Sequence, residues 1–500
     1  MKRRSAPPRA SALVESLRGL GYSTATALAD IIDNSIAARA TAVELDFHWN
    51  GGDSWIAVLD DGRGMNAEEL DSAMRLGDRN PLEARQLQDL GRFGLGLKTA
   101  SFSQGRRLTV ASRAADHPIE CLRWDLDLLD VPGDEGWHLL EGVQPGSEAR
   151  LAPLASEGTG TIVLIEKLDR IVTDGFTSQD FLDLVDTVER HLAMTFHRYL
   201  EGSRPRLRLL INGRGVTPWD PFMTGHPSKP WVQPEVKLRH SSVVLVQCHV
   251  LPHKDKLSAT EHEAAAGIEG WNGGQGFYVY RNQRLIVAGS WLGLGTGRRW
   301  TKDEAHRLAR IRLDITNDAD ADWKLDIRKS SARPPVQLRK ALTRLAEEAR
   351  NRARQVFAHR GRMNIRVKGE PVELAWEATK SSKGTRYRIS REHEAVRSLL
   401  EQAPDLRPRI ELVLKLLEET VPVQRIWLDT AEDRDTPLTG FAGEPEANVR
   451  EILATMYRSL VTRKGLSPED ARRRLARTEP FDRYPAFVQA LPDSIDSDGE

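Results

Sequence analysis

The run Gly91-Arg92-Phe93-Gly94-Leu95-Gly96-Leu97-Lys98-Thr99 constrains this chain more than any other feature. Three glycines in six residues let successive backbone N–H groups point into one concavity, a geometry that cradles anionic oxygens. The stretch 97–103 can open a helix, whose N-terminal end favours phosphate, and Lys98 adds a point charge. The G-x-x-x-x-G-K-[ST] spacing of a Walker A loop is absent. No βαβ unit surrounds the glycines either, so a Rossmann fingerprint does not fit. A lone glycine-rich loop says little, and its meaning rests on its neighbours.

Three other segments lie within the first 170 residues. In Asp30-Ile31-Ile32-Asp33-Asn34-Ser35, Asp30 and Asn34 are four apart, which puts them on one helix face, one turn apart. An amide oxygen suits Mg²⁺, and a carboxylate one turn away can orient or deprotonate an attacking water. A polar helix edge explains the pair equally well when taken alone. Asp60-Asp61-Gly62-Arg63-Gly64-Met65 follows the apolar strand expected at 55–59. A carboxylate at a strand end can accept from an adenine amino group, glycines let backbone approach a flat base, and Met65 can pack on the ring. The plain alternative is an Asp-Gly turn. Gly160-Thr161 opens a further strand, where a hydroxyl can bond to a base or a carboxylate, although Thr is common in strands.

Together, in this order, the four segments resemble the GHKL ATPase superfamily (gyrase B, heat-shock chaperone, histidine kinase and MutL ATPases) over residues 11–170. Ala27 to Ser35 is similar to the N box of that family, and Leu59 to Met65 to its adenine box. Gly91 to Ser103 looks most like the lid motif of MORC- and MutL-like proteins of bacterial type, and Gly160-Thr161 like the last box. The resemblance implies a Bergerat-type α/β sandwich that binds ATP with Mg²⁺. It implies that Asn34 holds Mg²⁺ and that Asp60, backed by Thr161, binds the adenine amino group, with Gly62, Gly64 and Met65 beside it. Gly94, Gly96, Leu97, Lys98 and Thr99 would wrap the phosphates. The usual catalytic base of the family is Glu, four residues before the Asn; here it is Asp30, one methylene shorter. Slow hydrolysis, or none, is therefore expected.

An α/β transducer domain follows the ATP domain in this family. Residues 206–335 fit that place, and Gly276 to Ile286 is similar to transducer segments of MORC- and MutL-like proteins. Trp323 to Ser331 resembles the end that carries a switch lysine, with Lys329 the first choice and Lys324 the second. A lysine there would stabilise charge on the departing γ-phosphate. The plain alternative is a solvated basic turn.

Length and composition set the remaining bounds. Five hundred residues suggest roughly three domains, and the expected divisions are 1–203 (ATP-binding), 204–357 (transducer) and 358–500, a mainly helical dimerisation or partner-docking module. The overall class is α+β. Lys plus Arg and Asp plus Glu are both 72, which gives no global pull toward nucleic acid or an anionic membrane. Two cysteines, Cys121 and Cys248, make a disulfide framework an unsuitable reading and a reducing cytoplasm the natural one. No apolar run reaches the roughly 18 residues a membrane span needs, and the basic segment 1–10 has no apolar core for a secretory signal. His240, Cys248, His249 and His253 match no standard zinc spacing, and Cys248 and His249 would face opposite sides of a strand. Trp271 and Trp291 read as core. Arg472-Arg473-Arg474 reads as a solvated helix face.

The function that resemblance implies is an ATP-gated homodimeric clamp, with DNA as the object clamped, in a repair, restriction or defence setting, and with operon-encoded proteins as further partners. A chaperone-like clamp on protein clients and a non-catalytic ATP sensor are the alternatives. A histidine kinase fits least, because no phosphoacceptor helix precedes residue 11.

Overall fold

Val43, Leu45 and Phe47 alternate with polar neighbours, and that alternation becomes a sheet strand with one face in the core. The computed structural model describes residues 9–77, 96–130, 137–239, 243–316, 322–324, 332–358, 373–381, 384–423, 426, 447–479 and 481–493. They fall into two compact units, Met1–Gly361 and Arg362–Glu500.

The first part of the larger unit runs α1 (Ala10–Arg18), α2 (Thr24–Ala37), β1 (Ala42–His48), β2 (Trp55–Asp60), α3 (Ala67–Met74) and α4 (Gly96–Phe102). It continues with β3 (Arg107–Arg113), β4 (Glu120–Asp125), β5 (Leu140–Glu141), α5 (Glu148–Leu151) and β6 (Gly160–Glu166). Then come α6 (Ser178–Thr195), α7 (His197–Leu200), β7 (Arg208–Ile211) and β8 (Arg214–Gly215). The eight strands form one sheet in the order β5-β4-β3-β6-β2-β1-β7-β8. β1 and β7 pair in parallel, and the other neighbours are antiparallel. β7 and β8 lie past residue 203, yet they complete this sheet.

Alternation sends Val43, Leu45, Ile56, Val58, Val110 and Ile165 to one face, against Leu28, Ile32, Phe181 and Leu192 of α2 and α6. Ala57, Ala111, Ile162 and Leu164 point to the other face and meet Leu151 and Leu154. The result is an α/β sandwich. α6 is a helix that the motif pattern did not announce. Its start is fixed by Thr177, whose hydroxyl accepts from the Asp180 N–H while Asp180 accepts from the Thr177 N–H. Its apolar stripe of Phe181, Val188 and Leu192 then buries itself on the sheet.

The second sheet is built from β9 (Trp231–Val232), β10 (Val236–Arg239), β11 (Val243–Val250), β12 (Gly276–Arg281), β13 (Arg284–Ser290) and β14 (Ala309–Ile315). The order is β10-β11-β14-β12-β13, with β9 on β11. The stretch 277–288 holds parts of both β12 and β13. Asn282 and Gln283 adopt φ of 48° and 71°, the backbone of a two-residue hairpin turn. A long helix, Val336–Ala358, follows, with Leu338, Leu342, Leu345 and Ala349 buried. Neighbouring residues of β11 do face opposite ways. Cys248 Sγ lies 3.6 Å from the Leu345 carbonyl, whereas the His249 ring lies 4.5 Å from that of Phe222. Trp271 and Trp291 are buried.

In the smaller unit the described helices include Glu394–Gln402, Arg407–Thr420, Ala447–Arg458 and Pro468–Leu475. Leu453, Tyr457, Leu475 and Phe481 form its core. A two-stranded antiparallel hairpin, Trp376–Ser381 with Gly384–Ile389, joins these helices. Among the described residues, no helix is long and apolar enough to cross a membrane.

Two histidines make stability depend on pH. Burial pushes His249 down to about 4, with the nearby Arg312 charge adding to it, and burial with the Arg284 charge takes His191 to about 4. Both values lie below the ordinary 6.5, so the unfolded chain binds more protons between those limits. Their contribution is present in full above the unfolded value and is lost as pH falls toward the folded one. The urea midpoint is therefore expected to drop between about pH 7.5 and about pH 5, and His249→Leu should make that slope shallower. An unchanged slope in the variant would rule His249 out as a source.

Candidate active site

The site grows from α2. Ser23 caps this helix: its hydroxyl accepts from the Thr26 N–H at 3.3 Å, and Thr26 Oγ1 accepts from the Ser23 N–H at 3.0 Å. Ala27, Leu28, Ile31 and Ile32 anchor the helix in the core. Two carboxylates are buried with them, Asp30 at 5% exposure and Asp33 at 1%. Asn34, one turn beyond Asp30, is exposed. Carboxylates this deep need partners, since an isolated buried charge is costly. Tyr22 donates its hydroxyl to Asp30 Oδ2 at 2.9 Å. Arg284, the first residue of β13, places Nη2 3.6 Å from Asp30 Oδ1 and Nε 3.2 Å from both oxygens of Asp33.

The second cluster sits where β2 and β6 end. Their antiparallel register sets Asp60 opposite Thr161. Asp60 Oδ2 accepts from the Ser35 hydroxyl at 2.7 Å and Oδ1 from the Gly62 N–H at 2.9 Å. Burial pushes the Asp60 carboxyl above its ordinary range, and the bonds from Ser35 and Gly62 oppose that shift. Thr161 Oγ1 is 2.7 Å from Ser112 Oγ, which also accepts from the Met65 N–H at 2.9 Å. The adjacent Asp61 turns the other way. It accepts from the Thr41 and Ala42 N–H groups at 2.7 and 2.8 Å and holds the start of β1. So of two adjacent aspartates one faces the site and one is structural.

The glycines here answer to the protein's own packing. Gly64 has φ +66°, and a Cβ on it would lie 1.8 Å from the Arg113 carbonyl oxygen. A Cβ on Gly62 would lie 2.8 Å from Asp60 Oδ1. Met65 is half-buried against the core.

Gly96 opens α4, and Leu97 packs on the core. Thr99 Oγ1 is 3.3 Å from the Gly96 carbonyl oxygen. Lys98 is buried, and its ammonium donates to the carbonyls of Ala73 and Arg75 at 2.8 Å each. Those carbonyls belong to the C-terminal end of α3, where positive charge is favoured. α3 itself is held by Leu70 and Met74, both buried. Gly94 and Lys329 lie outside the described residues. Lys324 is in an exposed turn at φ 47°, beside the buried Trp323.

Sequence reasoning missed Tyr22, Ser35, Ser112 and Arg284. Ser35 directly follows Asn34, but nothing in its spacing points to Asp60, 25 residues away. Arg284 is 251 residues from Asp33, and only the docking of the second sheet joins them. His240 lies outside the described residues. Among the described residues, His197, Glu201 and Asp220 form the grouping with metal-ligand spacing. Its donors are already used: His197 bonds to Glu201 and Tyr280, and Asp220 accepts from the Phe222 and Thr224 N–H groups.

The α/β sandwich thus carries an exposed Asn one turn from a buried carboxylate, a second carboxylate at a strand end and a glycine-opened helix. Residues 22–155 match the family described as histidine kinase-, DNA gyrase B- and HSP90-like ATPase. The ATPase morc-1 of Caenorhabditis elegans is 27% identical over 232 residues, 39% of this chain and 27% of that protein. The DNA mismatch repair protein MutL of Rhodospirillum rubrum is 35% identical over 92 residues, 18% of this chain and 14% of that protein. The chain thus spans about a quarter or less of the length of these relatives. It carries a GHKL ATPase domain with MORC and MutL relatives, and that domain implies ATP binding.

Two substitutions test the packing of the site. Gly64→Ala should destabilise the protein by roughly 1–3 kcal/mol or more, because the backbone at Arg113 must shift and φ is unfavourable. Ser112→Ala should cost about 1–3 kcal/mol by stranding the Met65 N–H and the Thr161 hydroxyl. Denaturant titration reads both, and a change below about 0.5 kcal/mol would contradict either account.

Proposed function

We propose that this protein is a slow ATPase that works as an ATP-gated homodimeric clamp on DNA. The observation that carries the ATPase reading is the Asp30–Asn34 pair: a carboxylate fixed in place one turn from an exposed amide. Asn34 would hold Mg²⁺, and its amide oxygen is the hard, accessible donor such an ion takes. The ion supplies positive charge against phosphate oxygens. Asp30 accepts a proton from water as general base. Asp60 accepts a hydrogen bond from the adenine amino group, held ready by Ser35 and backed by Thr161 through Ser112, with Gly62, Gly64 and Met65 lining the base. Gly94, Gly96, Leu97, Lys98 and Thr99 wrap the phosphates, and the Lys98 ammonium ties α4 to the end of α3. Lys329 acts as the switch lysine, with Lys324 second.

Residues 1–203, their sheet completed by β7 and β8, act as the ATP-binding domain, the rest of 204–357 as the transducer and 358–500 as the dimerisation or partner-docking module. The exposed apolar side chains of Leu412, Val413, Leu416 and Leu417 on the Arg407–Thr420 helix support the last assignment. DNA as cargo is supported by the MutL relative, a DNA mismatch repair protein. Two buried free cysteines, Cys121 and Cys248, suit a reducing cytoplasm. A second reading, a non-hydrolysing ATP sensor, draws support from Asp30 itself, which stands where the family carries Glu and is bonded to Tyr22.

Steady-state hydrolysis tests these readings. Asp30→Ala should lower kcat by about 10²-fold or more with ATP affinity little changed, and Asn34→Ala should weaken binding and turnover together. ATP binding without turnover in the wild type favours the sensor, and loss of both sinks the proposal. Ionised, the Asp60 carboxyl accepts on both oxygens, whereas protonation turns one of them into a donor and weakens the other as an acceptor; its pKa is raised. ATP affinity should therefore weaken as pH falls through that raised value, and Asp60→Asn should bind weakly with a flat pH profile.

A further inference from the structure

We propose that Arg284 is a positioning residue for the reaction, coupling the second sheet to the general base. This rests on Asp30 acting as that base. Arg284 opens β13 directly after the Asn282-Gln283 turn, so its place is set by the β12–β13 hairpin. The hairpin is fastened to the first part of the unit: Tyr199 of α7 donates its hydroxyl to the Asn282 carbonyl at 2.5 Å. The Arg284 guanidinium lies 5.9 Å from the Phe196 ring centre, and its Nη1 donates to the Leu285 carbonyl at 2.7 Å. Its remaining edge divides between two carboxylates. Nε bridges both oxygens of Asp33 at 3.2 Å, and Nη2 sits 3.6 Å from Asp30 Oδ1.

This division has a chemical consequence. Asp33 is the closer, better-aligned partner and fixes the plane of the guanidinium. Asp30 is then held from two sides, by Tyr22 on Oδ2 and by Arg284 beyond Oδ1. A guanidinium is a rigid fork, so rotating or withdrawing the hairpin moves the charge beside Asp30 without breaking α2. Shifting a base by about 1 Å is enough to slow a proton transfer by about 10²-fold. The second sheet thus reaches the reacting water through one side chain, while the Asp60 cluster that receives the base lies elsewhere, at the ends of β2 and β6. A purely structural Arg284 would serve only to neutralise Asp33.

Paired substitutions separate those roles in the full-length protein. Arg284→Met alone leaves the Asp33 charge buried and risks misfolding. Arg284→Met with Asp33→Asn removes both charges and leaves Asp30 without its guanidinium. The result expected of the double variant is a melting temperature near wild type, ATP affinity within about twofold and kcat lowered by at least about tenfold. Arg284→Lys, a point charge in place of a fork, should fall between the two in kcat alone. Wild-type kcat in the double variant overturns the inference and leaves Asp30 as base. Loss of ATP affinity in step with kcat also overturns it, by showing a binding or folding role. Wild-type protein that binds ATP without turnover removes the base assignment and this inference together.

Discussion

Strand β6 is buried at every position from Gly160 to Glu166, with β2 on one side and β3 on the other. Both of its faces are covered, by the helices on one and by Leu151 and Leu154 on the other. A side chain such as Ile162 or Leu164 contributes about 1.5–3 kcal/mol on full burial, and a one-residue slip would exchange it for a neighbour of different shape in a close-packed layer. The register is therefore fixed by apolar packing. What that register does chemically follows at the strand ends, where it sets Asp60 opposite Thr161, and Thr161 beside Ser112. Apolar burial thus positions a polar cluster that takes no part in it.

α2 shows the opposite economy of design. Most of its length is core, yet it buries Asp30 and Asp33 and exposes Asn34. The two carboxylates are tolerated because a hydroxyl and a guanidinium meet them. The guanidinium comes from the second sheet, so the helix that carries Asp30 and Asp33 is not complete within its own part of the fold. This arrangement ties local chemistry to tertiary docking.

Much of the architecture was legible in the sequence. The apolar strand expected at 55–59 is β2, and the one that Gly160-Thr161 opens is β6. Asn212-Gly213, a residue pair that favours tight turns, joins β7 to β8 with positive φ at both. Less was legible where the signal is generic. The β12–β13 hairpin does not declare itself, because Asn282-Gln283 lacks the glycine that usually marks such a turn. α6 carries no motif. The hairpin Trp376–Ser381 with Gly384–Ile389 is short and polar amid helical segments.

Periodicity and motif order, which are local properties, determined the fold class and the candidates Asp30, Asn34 and Asp60. The tertiary structure decided their company. Ser35 with Asp60, Ser112 with Thr161 and Arg284 with Asp33 are pairs separated by 25, 49 and 251 residues. It also decided that Asp60 faces the site while Asp61 ties down β1, and that the Lys98 ammonium lies on the end of α3. A sequence lists donors and acceptors, but which of them meet depends on strand register and sheet docking, and long-range apolar packing sets both.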